Sequence, residues 1–320
     1  MLPARGMQVS FIIPLYNCLA LTQACLASLR ATLPRDLAHE IIFVDDGSTD
    51  GTRTWLETLN SPDTRVVLNP RNLGYAAANN RGAALARGGL LVLLNSDLIL
   101  TRRWLEPMLA LHRRLGPHAG VIGNIQRTVA TRAVDHSGIV INLKAKPEHS
   151  TWFPPRWLRF LLRSRRVPAV TGACALVSRS LWHDLGGFDE AFLNGAEDVD
   201  LCLRARAAGR INAVSLRSVI LHHVSASPGR KLRNEANSRR LALRWRNELE
   251  RLAYHRWCWN YLDREWTSPH PALAHPDARA ALLYSLRLRR TPPPIAVAGM
   301  RANMDLELAR WQKLLSPPAA

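Results

Sequence analysis

Short apolar runs rich in Val, Ile and Leu recur through the first hundred positions, at residues 9–13, 40–44, 65–68 and 90–94. They lack the polar alternation of a half-exposed strand, which is the pattern of strands buried on both faces in a mostly parallel sheet. Between them the apolar positions take helical spacing at 21–32, 51–59 and 75–87, and again at 103–115 after the last run. Strand and helix in alternation predict βαβ units and a doubly wound α/β layer, in which ligands bind beyond the carboxyl ends of the strands. From residue 121 the pattern is less regular, with a strand-like run at 167–177, a helix at 197–208 and a short strand at 219–224. Residues 142–166 are rich in Pro, Trp and Arg and read as a mobile basic insertion. Three helical patterns follow, near 232–262, 277–290 and 301–315, broken by prolines such as Thr291-Pro-Pro-Pro294. A boundary is expected near Pro228, separating an α/β domain over 1–227 from a basic helical region over 228–320.

Composition narrows the choice. The chain has 320 residues, 47% hydrophobic and 21% charged, which is globular and excludes a disordered chain. Lys and Arg number 43 against 25 Asp and Glu, a net charge of +18. The excess lies in residues 144–166 and beyond Arg230, while the first hundred residues are nearer neutral. Such charge raises nucleic-acid binding as an alternative function, yet no recognised reading module is present. Five cysteines with no C-x-x-C pair suggest a reduced, cytoplasmic setting. The apolar N-terminal run is short and broken by Pro14, so no signal peptide is expected.

The candidate chemistry sits where the predicted strands end. Pro14-Leu-Tyr-Asn17 closes the first strand and Val44-Asp-Asp-Gly-Ser-Thr-Asp-Gly51 the second. Carboxylates there suit the imide N–H of a pyrimidine and the hydroxyls of a ribose, although taken alone the same residues are better explained as turn and helix-cap chemistry. Within Asn69-Pro-Arg-Asn-Leu-Gly-Tyr-Ala-Ala-Ala-Asn-Asn80, the Arg71 guanidinium is suited to a diphosphate or to solvent. Asp97, in Leu94-Asn-Ser-Asp97, ends a buried strand and is suited either to hold a hard divalent cation that bridges phosphates or to cap the next helix. Further on come Val170-Thr-Gly-Ala-Cys174, Leu185-Gly-Gly-Phe-Asp-Glu190, the acidic helix start at Glu197, Asp198 and Asp200, and Leu221-His-His223 after a strand. No Walker loop, dinucleotide fingerprint or zinc-protease motif is present, which removes the usual support for ATPase, dehydrogenase and zinc-hydrolase readings.

In type and order, over residues 9–227, these motifs closely resemble the inverting family-2 glycosyltransferases, with bacterial rhamnosyltransferases as a similar subgroup. The resemblance implies a GT-A, Rossmann-like nucleotide-sugar domain with a mostly parallel sheet, followed here by the C-terminal helices. It implies that Pro14, Tyr16, Asp45, Asp46, Arg71, Asn80 and Asp97 line the nucleotide pocket, and that Asp97 and His222 hold Mg²⁺ or Mn²⁺. Asp198 matches the catalytic base, with Glu197 beside it, while Gly187, Asp189 and Glu190 belong to a turn on the acceptor side. The departure from the family pattern is Asn95, an amide where the metal motif has its first carboxylate, which should weaken the cation site.

The implied reaction moves a sugar from a dTDP- or UDP-sugar to a hydroxyl of a glycan or lipid-linked acceptor, in a single inverting displacement. The setting is bacterial cell-surface polysaccharide synthesis. A catalytically silent scaffold of the same fold is the other alternative. In residues 156–166, Arg156, Arg159, Arg163 and Arg166 share one face of a predicted helix, with Trp157 and Leu161 toward the other. That pattern suits an anionic membrane surface, placing the protein peripherally at the inner face of the cell membrane, or equally a basic loop folded on its own domain. Nucleic acid is not an expected partner.

Overall fold

The computed structural model describes residues 8–59, 61–158, 161–223, 230–267 and 275–316. The four apolar runs form strands β1 (Val9–Leu15), β2 (His39–Asp45), β3 (Thr64–Leu68) and β4 (Leu90–Leu94). The helices between them are α1 (Leu19–Thr32), α2 (Thr52–Glu57) and α3 (Tyr75–Leu85). Next come β5 (Leu98–Leu100), α4 (Glu106–Leu115), β6 (Ala119–Thr128), β7 (Val134–His136) and a hairpin of β8 (Ile139–Ile141) and β9 (Pro147–His149). They are followed by β10 (Ser164–Arg166), β11 (Cys174–Ser178), α5 (Arg179–Leu185), α6 (Glu197–Ala207) and β12 (Ile211–His222).

The strand order is β10-β12-β6-β11-β4-β1-β2-β3, with β5 paired to β12 and β7 to β6. Along that path β1–β2, β2–β3, β1–β4 and β6–β12 are parallel, and the three other pairings are antiparallel. Reversal at β11 matters for the site. The Cys174↔Leu94 register brings the start of β11 to the edge where β1, β2 and β4 end. Beneath that edge, Phe11, Ile13, Phe43, Val92 and Leu94 pack on Cys25, Leu29, Trp104 and Met108 from α1 and the α4 region. All nine are fully buried, so the strand ends are held by a continuous apolar layer.

Three expectations are corrected. The strand-like run at 167–177 is a strand only from Cys174, and the predicted short strand at 219–224 belongs to a much longer one starting at Ile211. The basic segment is not a continuous helix: Arg156–Leu158 makes one 3-10 turn and Ser164–Arg166 is a strand antiparallel to β12. The other parts of the segment expected as a mobile insertion include β9 and its hairpin.

The chain divides into two compact units, with divisions at Ile139/Val140, Glu148/His149 and Arg230/Lys231. Pro228, the expected boundary, lies outside the described residues. The second unit joins residues 140–148 to α7 (Arg230–Trp266, kinked at Trp245), α8 (Pro276–Ser285) and α9 (Pro294–Leu315). Its core includes Cys258, Leu262, Ala278, Ala281 and Ala296, packed with Trp257, Tyr261 and Tyr284. A Cβ at Gly299 would lie 2.4 Å from the Trp257 ring, so α9 lies directly against that indole. Glu235 accepts from Lys146 Nζ (2.9 Å), Arg310 Nη2 (2.5 Å) and Trp311 Nε1 (2.5 Å), which ties α7, α9 and residues 140–148 together.

Candidate active site

At the first two strand ends the backbone leaves the sheet through left-handed conformations, with φ of 58° at Asn17 and 62° at Cys18. Asn17 N–H donates to Ser48 Oγ (2.7 Å) and Asn17 Oδ1 accepts from Thr49 N–H (2.8 Å), so the two turns hold each other. Asp50 Oδ2 caps α1 through Leu19 N–H (3.1 Å). Gly47 has φ +85°, and a Cβ there would approach the Arg71 carbonyl carbon to 2.7 Å, so this turn packs on the Arg71 backbone. Pro14 is buried opposite Val44, Tyr16 is 49% exposed, and the Arg71 side chain is exposed.

The paired acids are committed to the protein itself. Asp45 has no exposed surface; its Oδ2 accepts from Arg53 Nε (3.0 Å) and Nη2 (2.8 Å), and its Oδ1 from Ser48 N–H (3.2 Å). Asp46 accepts from Asn69 Nδ2 (2.8 Å), Leu73 N–H (2.9 Å) and Gly74 N–H (2.8 Å), which fixes the chain entering α3. Together they hold the turn that packs on Asn17, next to exposed Tyr16, and on the Arg71 backbone.

Asp97 follows β4, and His222 ends β12 where it pairs with Leu98. His222 Nε2 lies 3.3 Å from Asp97 Oδ1, with the two side chains 13% and 16% exposed. Asp97 Oδ1, Asn95 Oδ1 and His222 Nδ1 are buried and, among the described residues, have no hydrogen-bond partner. Unsatisfied acceptors beside an imidazole are costly in an empty polar pocket and suit a hard or borderline divalent cation. The residues therefore fit Mg²⁺ or Mn²⁺ as a partial donor set. No group of three or more His, Cys, Asp or Glu able to hold a metal occurs among the described residues.

Asp198 stands in the first turn of α6. Its Oδ2 accepts from Gly172 N–H and its Oδ1 from Val199 N–H, both at 2.8 Å. Burial pushes its carboxyl above the ordinary value, against the two N–H donors and the charge of His149. The chain reaches this position through left-handed Asn194 (φ 55°) and Ala196 (φ 72°), strain that clusters at functional sites. Glu197, buried, accepts from Gly195 N–H (2.6 Å).

Tyr75 joins these parts. Its hydroxyl donates to Gly172 O (2.8 Å) and its N–H to Asn194 Oδ1 (2.8 Å). Burial, followed by the charges of Glu197, Asp198 and Asp97, pushes its phenol well upward. Gly172 N–H bonds Asp198, and the next residue, Ala173, accepts through its carbonyl from Asn95 N–H (2.9 Å), so one short segment links Asp198 to the turn that carries Asp97.

The turn expected on the acceptor side is held from two directions. Asn80 donates to Phe188 O and Glu190 Oε1, and its Oδ1 accepts from Phe188 N–H, all at 2.9 Å. Arg204 donates to Leu185 O (2.5 Å) and Gly187 O (2.7 Å) while its Nε is anchored on Asp200 (2.8 Å). Asn80, expected on the nucleotide side, thus bonds the turn that carries Gly187, Asp189 and Glu190. Asp189 Oδ1 accepts from Ala191 N–H (2.9 Å) within the same turn. Sequence reasoning did not single out Tyr75, Arg53, Asp135, His136 or His149. Tyr75 lay inside a quoted motif, whereas the two residues of β7 and His149 of β9 carry no local signature.

The family model for glycosyl transferase family 2 matches residues 10–186, and the chain belongs to that family. The y4gI protein of Sinorhizobium fredii is 33% identical over 242 residues, 71% of this chain and 26% of that protein. The O-antigen biosynthesis protein RfbC of Myxococcus xanthus is 30% identical over 239 residues, 70% of this chain and 18% of RfbC. The aligned region is thus about a quarter or less of these two longer relatives. The N-acetylglucosaminyl-diphospho-decaprenol L-rhamnosyltransferase of Mycobacterium tuberculosis is 29% identical over 226 residues, 64% of this chain and 72% of that enzyme. Among solved structures, GalNAc-T7 with UDP, GalNAc and Mn²⁺ aligns with a TM-score of 0.63 at 16% identity, over 79% of this chain and 51% of that one. The mannosyltransferase PcManGT of Pyrobaculum calidifontis, in complex with GDP-Man and Mn²⁺, aligns at 0.55 and 21% identity, over 98% and 84%. The fold is the α/β GT-A fold, with helices α7–α9 following it.

Proposed function

We propose that this chain is an inverting, metal-assisted glycosyltransferase, moving a sugar from a dTDP- or UDP-sugar to a hydroxyl of a glycan or lipid-linked acceptor in bacterial surface-polysaccharide synthesis. The observation that carries the reading is the link from Asp198 through Gly172 and Ala173 to the turn that carries Asp97, with His222 Nε2 at 3.3 Å from Asp97 Oδ1. Membership of family 2 and the relatives named for O-antigen biosynthesis and for rhamnosyl transfer to a decaprenol-linked sugar support the class of donor and acceptor.

Each residue then has a stated task. Tyr16, exposed at the end of β1, offers a ring face to the base, and Asp45 and Asp46 shape the turn beneath it. The Arg71 guanidinium, free to reach out, pairs with diphosphate oxygens. Asp97 and His222 would hold the divalent cation, which when bound supplies charge stabilisation for the departing diphosphate. Asp198 accepts the proton of the acceptor hydroxyl as that oxygen bonds to the anomeric carbon and the bond to diphosphate breaks. Its raised basicity favours this transfer, and the Gly172 and Val199 N–H groups fix its direction. With a single carboxylate acting as base, the displacement inverts the anomeric centre. Asp189 and Glu190 contact acceptor hydroxyls from the turn held by Asn80 and Arg204.

A thermal-shift screen of UDP- and dTDP-sugars with and without Mn²⁺ tests the donor, because a ligand selective for the folded state raises its midpoint. One nucleotide-sugar is expected to stabilise strongly and only with the cation. NMR of the product anomer then tests inversion. No stabilisation by any nucleotide-sugar, together with salt-sensitive DNA binding, would instead favour a nucleic-acid-binding protein.

A further inference from the structure

His222 is addressed from both sides of its ring. Nε2 faces Asp97 Oδ1 at 3.3 Å, and Nδ1 faces Asp135 Oδ2, on β7, at 4.0 Å. An imidazole that coordinates through Nε2 must carry its proton on Nδ1, and that N–H needs an acceptor. His222 Nδ1 is buried with no hydrogen-bond partner among the described residues, and Asp135 is the carboxylate in front of it. Asp135 is 26% exposed, so a small rotation or one bridging water closes the gap.

We propose that Asp135 is a positioning residue of the donor site, accepting from His222 Nδ1–H so that Nε2 is presented to a cation beside Asp97. This rests on the donor-site reading above and goes beyond it, adding a third strand, β7, to the grouping. Carboxylates behind metal-bound histidines fix the tautomer and the ring direction in this way. The same Asp135 Oδ2 lies 4.0 Å from His149 Nδ1 of β9. A carboxylate has lone pairs enough for both imidazoles. His149 meets His136 edge-on, with ring centroids 4.7 Å apart, and His136 Nε2 accepts from Thr171 N–H (3.4 Å). His149 is 46% exposed, so it serves as the control for disturbance of this corner.

The test is Mn²⁺ affinity, read by electron paramagnetic resonance without turnover, in the presence of UDP and, separately, dTDP. Asp135→Asn is expected to weaken Mn²⁺ binding about 10- to 100-fold, with His149→Gln within about twofold of wild type and Asp135→Glu partly restoring affinity. In a His222→Gln background Asp135→Asn should add almost nothing, because both changes remove one unit. Additive losses, or wild-type affinity in Asp135→Asn while Asp97→Ala abolishes binding, would overturn the proposal and leave the donor site standing. Wild-type protein that binds no Mn²⁺ with either nucleotide would overturn the metal reading and this proposal together. If Asp135→Asn fails to fold, Asp135→Glu decides by the same cycle: a loss of Mn²⁺ affinity that adds in full to that of His222→Gln overturns the proposal.

Discussion

Asp198 is held by two backbone N–H donors in a setting that burial makes more basic, and those two facts define what its removal should do. Asp198→Asn keeps the shape and removes the proton acceptor, so turnover should fall ~10²-fold or more while nucleotide affinity stays near wild type. Turnover measured beside nucleotide binding by calorimetry checks this, and unchanged turnover would remove Asp198 from the base role. The pH profile has a definite sign. With Asp198 as the proposed base, the ionised carboxylate is the active form; burial raises its titration above the ordinary 3.8, so turnover should rise with pH on a limb displaced upward from that value. That Asp97 and His222 would lie together was legible, because each sits in a run of typed neighbours at a strand end. Asp135 and His149 were not, since their significance arises only when β7, β9 and β12 are brought together. The roles of Asp45 and Asp46 were only half legible: the sequence shows acids in a tight turn, but not that Arg53 and the Gly74 N–H bind them first.

At the level of elements, the turn proposed for the acceptor side depends on a glycine for two reasons at once. Gly187 has φ +68°, and a Cβ would lie 2.6 Å from Asn80 Oδ1 and 3.1 Å from Trp182 Nε1. Gly187→Ala should therefore cost about 1–3 kcal/mol of stability, from strain and displacement of the Asn80 carboxamide. It should also raise the KM for acceptor more than that for donor; urea unfolding and two-substrate kinetics measure the two effects. The helical unit offers a second case. Burial favours neutral Glu235, yet hydrogen bonds from Trp311, Lys146 and Arg310 outweigh it and bring its pKa from 4.5 to about 2. A lowered folded-state value stabilises the fold above the unfolded value, and that stability is lost as pH falls from about 4.5 toward about 2. Glu235→Gln should lower the melting midpoint at neutral pH and flatten its dependence across that window. The first four strands were visible because unbroken apolar runs need no context. In β6, the buried Asn124 and Gln126 interrupt such a run, and a strand with polar side chains inside gives no clear period. Arginines at helical spacing in 156–166 were misleading for a different reason: pairing of Ser164–Arg166 with β12 overrides local periodicity.

For the molecule as a whole, the excess of positive charge is a question of where it meets a partner. No helix among the described residues is long and apolar enough to cross a membrane. Trp157 is 68% exposed and Leu161 63%, with Trp152 43% exposed and stacked under the Arg165 guanidinium at 5.1 Å. Arg163 and Arg166 of the same stretch are exposed, as is Arg132 between β6 and β7. Aromatic and aliphatic side chains beside arginines suit the boundary of an anionic bilayer even without an amphipathic helix, since what matters is apolar area plus charge at one surface. Each arginine near such a surface contributes about 1 kcal/mol, so reversing two should weaken binding by roughly tenfold or more. Flotation with phosphatidylglycerol vesicles is expected to carry the wild type upward and phosphatidylcholine vesicles to leave it behind. Arg163→Glu with Arg166→Glu should abolish the difference at moderate salt, and Trp157→Ala with Leu161→Ala should weaken binding at every salt concentration. These opposite salt responses separate the two contributions, because screening acts on the charges and leaves apolar burial largely untouched. Equal recovery of the wild type with both vesicle types would return the arginines to solvent and leave the acceptor to be met away from the bilayer.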